Sequence, residues 1–352
     1  MSNPLAADLD HVLAHTEAVW DELRGAHIFV TGGTGFFGCW LLESFAWACD
    51  RLPLAASMTV LTRSPELFLR KAPHLAAHPA IRLVNGDVRF FDYLDGPFSH
   101  VIHAATEANP RLCREHPLAV LDSVVEGTRH TLDFALESGA NRFLLTSSGA
   151  VYGPQPAAVT HLPETFGGGP DPSVPDSVYG EAKRSAELLC ALYHAQYGLQ
   201  CLTARCFAFV GPYMPFDAHF AIGNFIGDAI SGGPIRVKGD GTPYRSYLYA
   251  ADLAIWLWTI LAKGRPGRPY NVGSERALTI AAIAAEVAGA LGPGIRVEIF
   301  GTPTPGVAPR RYVPSTARAR AELNLRELVP LEAAIRRTAG AIRATHSIGH
   351  QV

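Results

Sequence analysis

Neither sign of charge dominates this chain of 352 residues: 30 Lys and Arg face 32 Asp and Glu, a formal net charge of −2. Bulk electrostatics give no reason to expect nucleic acid or an anionic membrane as a partner, so any anion-binding site must be local. No Cys-x-x-Cys pair occurs among Cys39, Cys49, Cys113, Cys190, Cys201 and Cys206, most of which sit in apolar runs. They read as reduced core residues of a cytoplasmic protein. The 14 histidines are scattered, with no carboxylate cluster at ligand spacing, so no metal is expected. Met1–Asp10 lacks a basic segment followed by an apolar stretch, so no secretory leader is expected. The longest apolar segments are broken by charge, Pro or Gly before membrane-spanning length.

What is present is an ordinary globular composition, 48% apolar and 18% charged. Residues 5–24 carry helical periodicity and read as a leading helix that packs or dimerises without doing chemistry. Short runs rich in β-formers then alternate with helical segments. Strands are expected at 27–31, 58–62, 81–85, 100–104, 142–146 and 201–205, and helices at 39–49, 115–138 and 177–197. That alternation predicts an α/β fold, a doubly wound parallel (Rossmann) sheet. After residue 212 the elements shorten and mix, which predicts a smaller α/β lobe containing strand 269–272 and helices 250–262 and 279–291. The expected division is an N-terminal extension at 1–25, a dinucleotide-binding domain at 26–212, a lobe at 213–335 whose segments can interleave with the sheet, and a tail at 336–352. The Pro- and Gly-rich loop 153–176 is long enough to cover a site.

TGGTGFFG at 31–38 follows the first strand and opens a helix. Gly32, Gly35 and Gly38 allow a tight turn and close approach to a pyrophosphate. The helix start at Phe36 and Phe37 supplies N–H donors and a favourable dipole. The strand before and the helix after are the context that such a motif requires. An acid at the end of the second strand would bind ribose hydroxyls, whereas Arg suits a 2′-phosphate. Thr62-Arg63-Ser64 has no acid, so Arg63 tilts the cofactor from NAD towards NADP. Asp87 and Val88, after the third strand, are placed to meet the adenine. Ala104, Ala105 and Thr106, after the fourth, would lie under the cofactor.

Tyr179 and Lys183 stand four positions apart, on one face of the expected helix 177–197. A free phenol holds its proton to a pKa of about 10. A neighbouring ammonium favours the phenolate, and each unit of lowering takes about 1.4 kcal/mol. Ser148 could steady the same substrate oxygen while the proton moves.

Together with NGDV at 85–88, HAAT at 103–106, TSSGAVYG at 146–153, ARCFAFVGP at 204–212, RSYLYAADLA at 245–254 and NVGS at 271–274, these motifs resemble the extended short-chain dehydrogenase/reductase family. The similarity is to its nucleotide-sugar epimerase, dehydratase and decarboxylase branch, over residues 26–335. It implies Ser148 as the active-site Ser/Thr, Tyr179 as the base, and Lys183 as its partner and a nicotinamide-ribose ligand. It also implies Arg245 as a diphosphate ligand, and nucleotide or phosphate contacts from Asn224, Arg310 and Arg311. The partner is then a nucleoside-diphosphate sugar in carbohydrate metabolism, with its base read by the 213–240 region. Helices 115–138 and 177–197 resemble a four-helix homodimer interface.

The resemblance leaves the net reaction open after oxidation at sugar C4. Dehydratases of the family usually carry Asp-Glu after the active-site Thr, and decarboxylating relatives a Glu at the second of those positions. Here Gly149 and Ala150 cannot transfer a proton. The small Ser148-Gly149-Ala150 segment reads as room for a keto sugar to turn over, which favours a C4 epimerase. The alternatives are an NADPH-dependent 4-keto-sugar reductase, a lyase using Glu164 or His161 from the long loop, and a non-catalytic dinucleotide sensor. Ala208 replaces a ligand-contacting Asn common in the family, so the sugar contact there must differ.

Overall fold

The computed structural model describes residues 3–106, 110–215 and 220–349. Two helices, α1 (Ala6–His15) and α2 (Glu17–Glu22), precede β1 (His27–Thr31). The single leading helix expected over 5–24 is broken at Thr16, whose backbone leaves the helical region at φ −128°. Its hydroxyl donates to the Val12 carbonyl at 2.6 Å and accepts from the Trp20 indole at 2.8 Å. A threonine bonding its own backbone in this way competes with helix continuation. Leu5, Leu9, Val12, Val19, Trp20 and Leu23 are all buried, and Trp20 packs on Trp258 with centroids 4.9 Å apart. At about 1.5–3 kcal/mol for each large buried side chain, the extension is part of the core.

The chain continues through α3 (Phe36–Arg51), β2 (Ser57–Thr62), α4 (Pro65–Lys71), α5 (Pro73–Ala76), β3 (Ile81–Asn85), β4 (His100–His103), α6 (Pro110–Glu115), α7 (Pro117–Glu137), β5 (Arg142–Ser148), α8 (Val178–Tyr197) and β6 (Gln200–Cys206). Helix 115–138 of the sequence reading starts instead at Pro117, which occupies the first helical position. Pro117 also pushes His116 out of the α region, to φ −138°, and so separates α6 from α7. In β1 the four residues Ile28–Thr31 are all buried, as expected of a strand covered on both faces.

Beyond β6 come β7 (Phe209–Val210), α9 (Ala221–Ile230), β8 (Ile235–Val237), β9 (Tyr244–Arg245), β10 (Leu248–Tyr249), α10 (Ala250–Lys263), β11 (Pro269–Val272), β12 (Leu278–Thr279), α11 (Ile280–Leu291), β13 (Val297–Ile299), β14 (Arg311–Tyr312), α12 (Ala317–Leu323) and α13 (Leu331–Gly349). The principal sheet has seven parallel strands in the order β11-β6-β5-β4-β1-β2-β3. Strand 269–272, assigned to the lobe by its place in the chain, thus forms the edge of the main sheet. Helix α10 is apolar all round and buried except near its C-terminus, so it also belongs to the core. The lobe proper holds β8 paired with β13 and the small sheet β12-β9-β14, with α9 and α11 against them. Residues 336–349, expected as a tail, continue α13. Part of the 213–240 region, residues 216–219, lies outside the described residues.

No described helix is long and apolar enough to cross a membrane. Among the described residues no group of three or more His, Cys, Asp or Glu could hold a metal ion. All six cysteines are free.

Candidate active site

The glycine turn lies at the C-terminal end of β1, where strands of a doubly wound sheet open a crevice. Gly32 has φ +72°, and a Cβ there would sit 2.4 Å from the Ala104 carbonyl carbon. A Cβ on Gly38 would sit 2.3 Å from the backbone of Gly33. Only glycines let the turn close onto β4 and onto its own helix. The result is a cleft of about 400 Å³ whose lining includes Gly32, Gly35, Arg63, Asp87, Val88, Ala104, Ala105 and Thr106. Thr106 Oγ1 is buried there, facing the Tyr179 phenol. A cleft at a helix start, with a close backbone approach, fits a dinucleotide.

Phe36, Phe37 and Gly38 do not line the cleft. Phe37 turns its ring onto Phe209, centroids 5.1 Å apart, and both phenylalanines pack against the core. What they can offer a phosphate is the helix-start backbone. Asp87 lines the cleft but is already gripped by Arg89 at 2.9 Å through both carboxylate oxygens. Arg89 holds that carboxyl below the usual range, outweighing burial. Lys71, which the sequence reading passed over, lines the same cleft and donates to the Thr34 carbonyl at 2.8 Å. Its position at the last residue of α4, beside the glycine turn, emerges only when α4 packs against β3 and brings its C-terminal end to Thr34. His103 is structural: it joins Thr31 at 2.8 Å to Thr128 at 3.0 Å, and burial lowers its pKa to about 3.

On α8 the Tyr179 phenol end is enclosed although the residue as a whole is half-buried. Burial pushes it up to about 12, and the Ser148 hydroxyl beside it pulls only part of the way back. This reverses the expected lowering by Lys183. The ammonium is directed elsewhere, donating to the Thr146 carbonyl at 2.9 Å. Lys183 is itself fully buried, and burial lowers its pKa to about 8. Both groups lie near the Cys206 thiol, which burial raises to about 12. Tyr179, Lys183 and Ser148 therefore converge at the ends of β5 and β6, next to Thr106 and the cofactor cleft.

The lobe contributes Arg245 and an unforeseen residue, Tyr312. In the β9–β14 pair Tyr312 is opposite Arg245 and Arg311 is opposite Tyr244. Side chains alternate along strands, so Arg245 shares a face with Tyr312 and Arg311 lies on the other. The contacts agree: the Arg245 guanidinium is 5.9 Å from the Tyr312 ring centre, and that of Arg311 is 3.9 Å from Tyr244. Arg310 is exposed, and Asn224 is half-buried on α9. Tyr312 reaches the Ser148 end of β5: a Cβ on Gly149 would lie 2.7 Å from its hydroxyl and 2.8 Å from the Phe207 ring. The only local hint of Tyr312 was its place directly after the Arg310-Arg311 pair.

Behind these groups runs a polar network. Ser147 donates to Glu187 at 2.5 Å, Glu187 pairs with Arg205 at 2.6 Å, and Arg205 donates to the Tyr152 hydroxyl at 2.9 Å. Tyr152 donates to Asn271 at 2.7 Å. From the long loop, Glu164 accepts from the backbone N–H of Asn271 at 3.0 Å, and His161 meets the Glu275 carbonyl at 2.9 Å.

Residues 28–273 match the model of the NAD dependent epimerase/dehydratase family. The chain is 30% identical to UDP-glucuronic acid decarboxylase 1 of Arabidopsis thaliana over 317 residues, 90% of this chain and 69% of that protein. It is also 30% identical to UDP-glucuronic acid decarboxylase 3 of the same plant over 311 residues, 86% and 87% of the two chains. Its fold is similar to that of UDP-glucose 4-epimerase from Thermotoga maritima, with a TM-score of 0.77 at 21% identity, covering 91% of this chain and 99% of the other. It is likewise similar to dTDP-glucose 4,6-dehydratase from Streptomyces venezuelae, with a TM-score of 0.75 at 23% identity, covering 92% and 98%. With the cofactor cleft and the Ser148, Tyr179 and Lys183 set in place, the chain belongs to the NAD-dependent epimerase/dehydratase family, the NAD(P)-dependent nucleotide-sugar branch of the extended short-chain dehydrogenases/reductases, and is an enzyme.

Proposed function

We propose that this enzyme is an NADPH-dependent reductase of a 4-keto sugar carried on a nucleoside diphosphate. The observation that carries this reading is the closed space over Gly149. An epimerase must let the keto sugar turn to present its other face, and the small side chains at 148–150 promised that room. The Tyr312 hydroxyl and Phe207 ring stand beside Gly149 instead, 2.7 and 2.8 Å from where its Cβ would be, which supports a sugar with little room to turn. A sugar kept from turning by that packing would take hydride on one face only.

When bound, the reduced cofactor supplies the hydride. Tyr179, still carrying its proton because burial raises its pKa, gives that proton to the sugar O4 as C4 is reduced. Ser148 donates a hydrogen bond to the same oxygen. Lys183, braced on Thr146, keeps positive charge beneath the site as charge develops on the oxygen. The proton Tyr179 loses is replaced from solvent, so one hydride and one proton reach each carbonyl. Gly32, Gly35 and the start of α3 would hold the pyrophosphate, with Ala104–Thr106 beneath. Arg63 and Lys71 concentrate positive charge in a cleft whose β2 end has no acid, which supports NADPH over NADH. Arg245, with Arg311, Arg310 and Asn224, would meet the diphosphate and nucleotide. Exposed Leu118, Leu188 and Leu192, on the packed helices α7 and α8, support a homodimer through that face.

A decarboxylating lyase is the second reading, because relatives at 30% identity are named UDP-glucuronic acid decarboxylases. Positions 149 and 150 hold no carboxylate, and Glu164 and His161 are engaged with Asn271 and Glu275. The deciding experiment incubates the enzyme with 4-keto and parent sugar nucleotides of each base, following NADPH absorbance and product NMR. One NADPH oxidised per 4-keto sugar supports the reductase. Epimer formation without NADPH loss, or CO2 release from UDP-glucuronate, replaces it with the isomerase or the lyase.

A further inference from the structure

Tyr312 is held by two neighbours, Arg245 and Phe207. It pairs in register with Arg245, stacks at a tilt on Phe207 with centroids 4.7 Å apart, and lies under the Arg245 guanidinium. Its hydroxyl is thereby delivered over Gly149, where any side chain at 149 would exclude it, and within the influence of the Ser148 hydroxyl. Ser148 Oγ already accepts from the Ala150 N–H at 3.1 Å. A serine hydroxyl has two acceptor sites and a single proton.

We propose that Tyr312 is a positioning residue for the reduction: its phenol donates to the remaining acceptor site of Ser148 Oγ, so the Ser148 proton is turned away from Tyr312, towards the Tyr179 phenol and the sugar's keto oxygen beside it. Burial holds the Tyr312 phenol above its ordinary range, which keeps it a donor at working pH. Tyr312 transfers no proton in the reaction. The hydride still adds to C4 and the proton to O4 still comes from Tyr179. Tyr312 sets the direction of one hydrogen bond, and that bond strengthens as charge builds on the oxygen. The substrate named here rests on the reductase reading, whereas the coupling of the hydroxyls does not.

Tyr312→Phe keeps the ring against Phe207 and removes only the donor. Expected is a kcat about tenfold lower, the loss of roughly one hydrogen bond, with KM for the keto sugar and NADPH affinity unchanged. In a Ser148→Ala background the same substitution should cost nothing further, because the residue it acts through is gone. Losses that multiply, or an unchanged kcat, would overturn the proposal. Should Tyr312→Phe not fold, Gly149→Ala displaces the phenol from the other side and should reproduce the kcat loss; unchanged kcat there has the same negative meaning. A second arm needs no substrate. With Cζ-labelled tyrosine, the Tyr179 resonance should move on Tyr312→Phe, and stay put when Ser148 is already Ala. If no keto sugar is reduced but this shift is seen, the reductase reading fails and the role of Tyr312 stands; no shift means Tyr312 does not act through Ser148.

Discussion

Glu187 receives both arms of the Arg205 guanidinium, at 2.6 to 3.1 Å, with only 14% and 15% of the two side chains exposed. Tyr179, Lys183 and Glu187 follow one another at four-residue steps along α8. The ion pair thus fastens the helix that presents the chemistry to β6, beneath the site.

Removing one partner strands the other charge. Arg205→Met should destabilise the enzyme by about 3–5 kcal/mol in denaturant unfolding, the range for breaking a buried pair. Glu187→Gln should also lower kcat, because Ser147 and α8 lose a shared anchor. Unfolding within 1 kcal/mol of wild type would show the pair to be dispensable.

Lys183 should set the alkaline limit of reduction. Its folded pKa of about 8 lies below its ordinary 10.5. As pH rises through 8, the ammonium is lost and kcat/KM should fall tenfold per unit. Tyr179, near 12, keeps its proton throughout. Lys183→Arg should abolish that fall in a pH–rate profile. Stability moves the other way. The unfolded chain binds this proton more tightly, so the cost of burying the charge is full below about 8 and fades up to 10.5, raising stability.

Arg63→Glu should reverse cofactor choice. Losing a charge-assisted contact to the 2′-phosphate, at about 1.5–3 kcal/mol, would weaken NADPH roughly ten- to hundredfold, with NADH less affected. Fluorescence titration of both cofactors reads the ratio. Equal weakening would place Arg63 away from the 2′ position.

Leu188→Asp with Leu192→Asp puts charge on the exposed face of α8. If that face joins two copies, light scattering should change from a dimer mass to a monomer mass at micromolar concentration, with the monomer still folded by circular dichroism. A wild-type monomer, or an unchanged dimer, would remove this face as the interface.

The sequence by itself determined the strand–turn–helix around Gly32, the order of the six strands from 27 to 206, and the place of Tyr179 and Lys183 on one helix face. Each depends on local spacing: period two, period 3.6, or a turn only glycine allows. The tertiary structure decided the rest. It placed 269–272 at the edge of the main sheet, put Lys71 beside the glycine turn, and set Arg245 and Arg311 on alternate faces of a small sheet. It also raised the Tyr179 pKa that spacing alone had lowered, and filled the space over Gly149 with a phenol from a strand far along the chain. Burial and shape at a site belong to whatever packs against it, and those neighbours are distant in sequence; a motif names the reacting groups, and the surrounding fold sets their protonation and the room the substrate has.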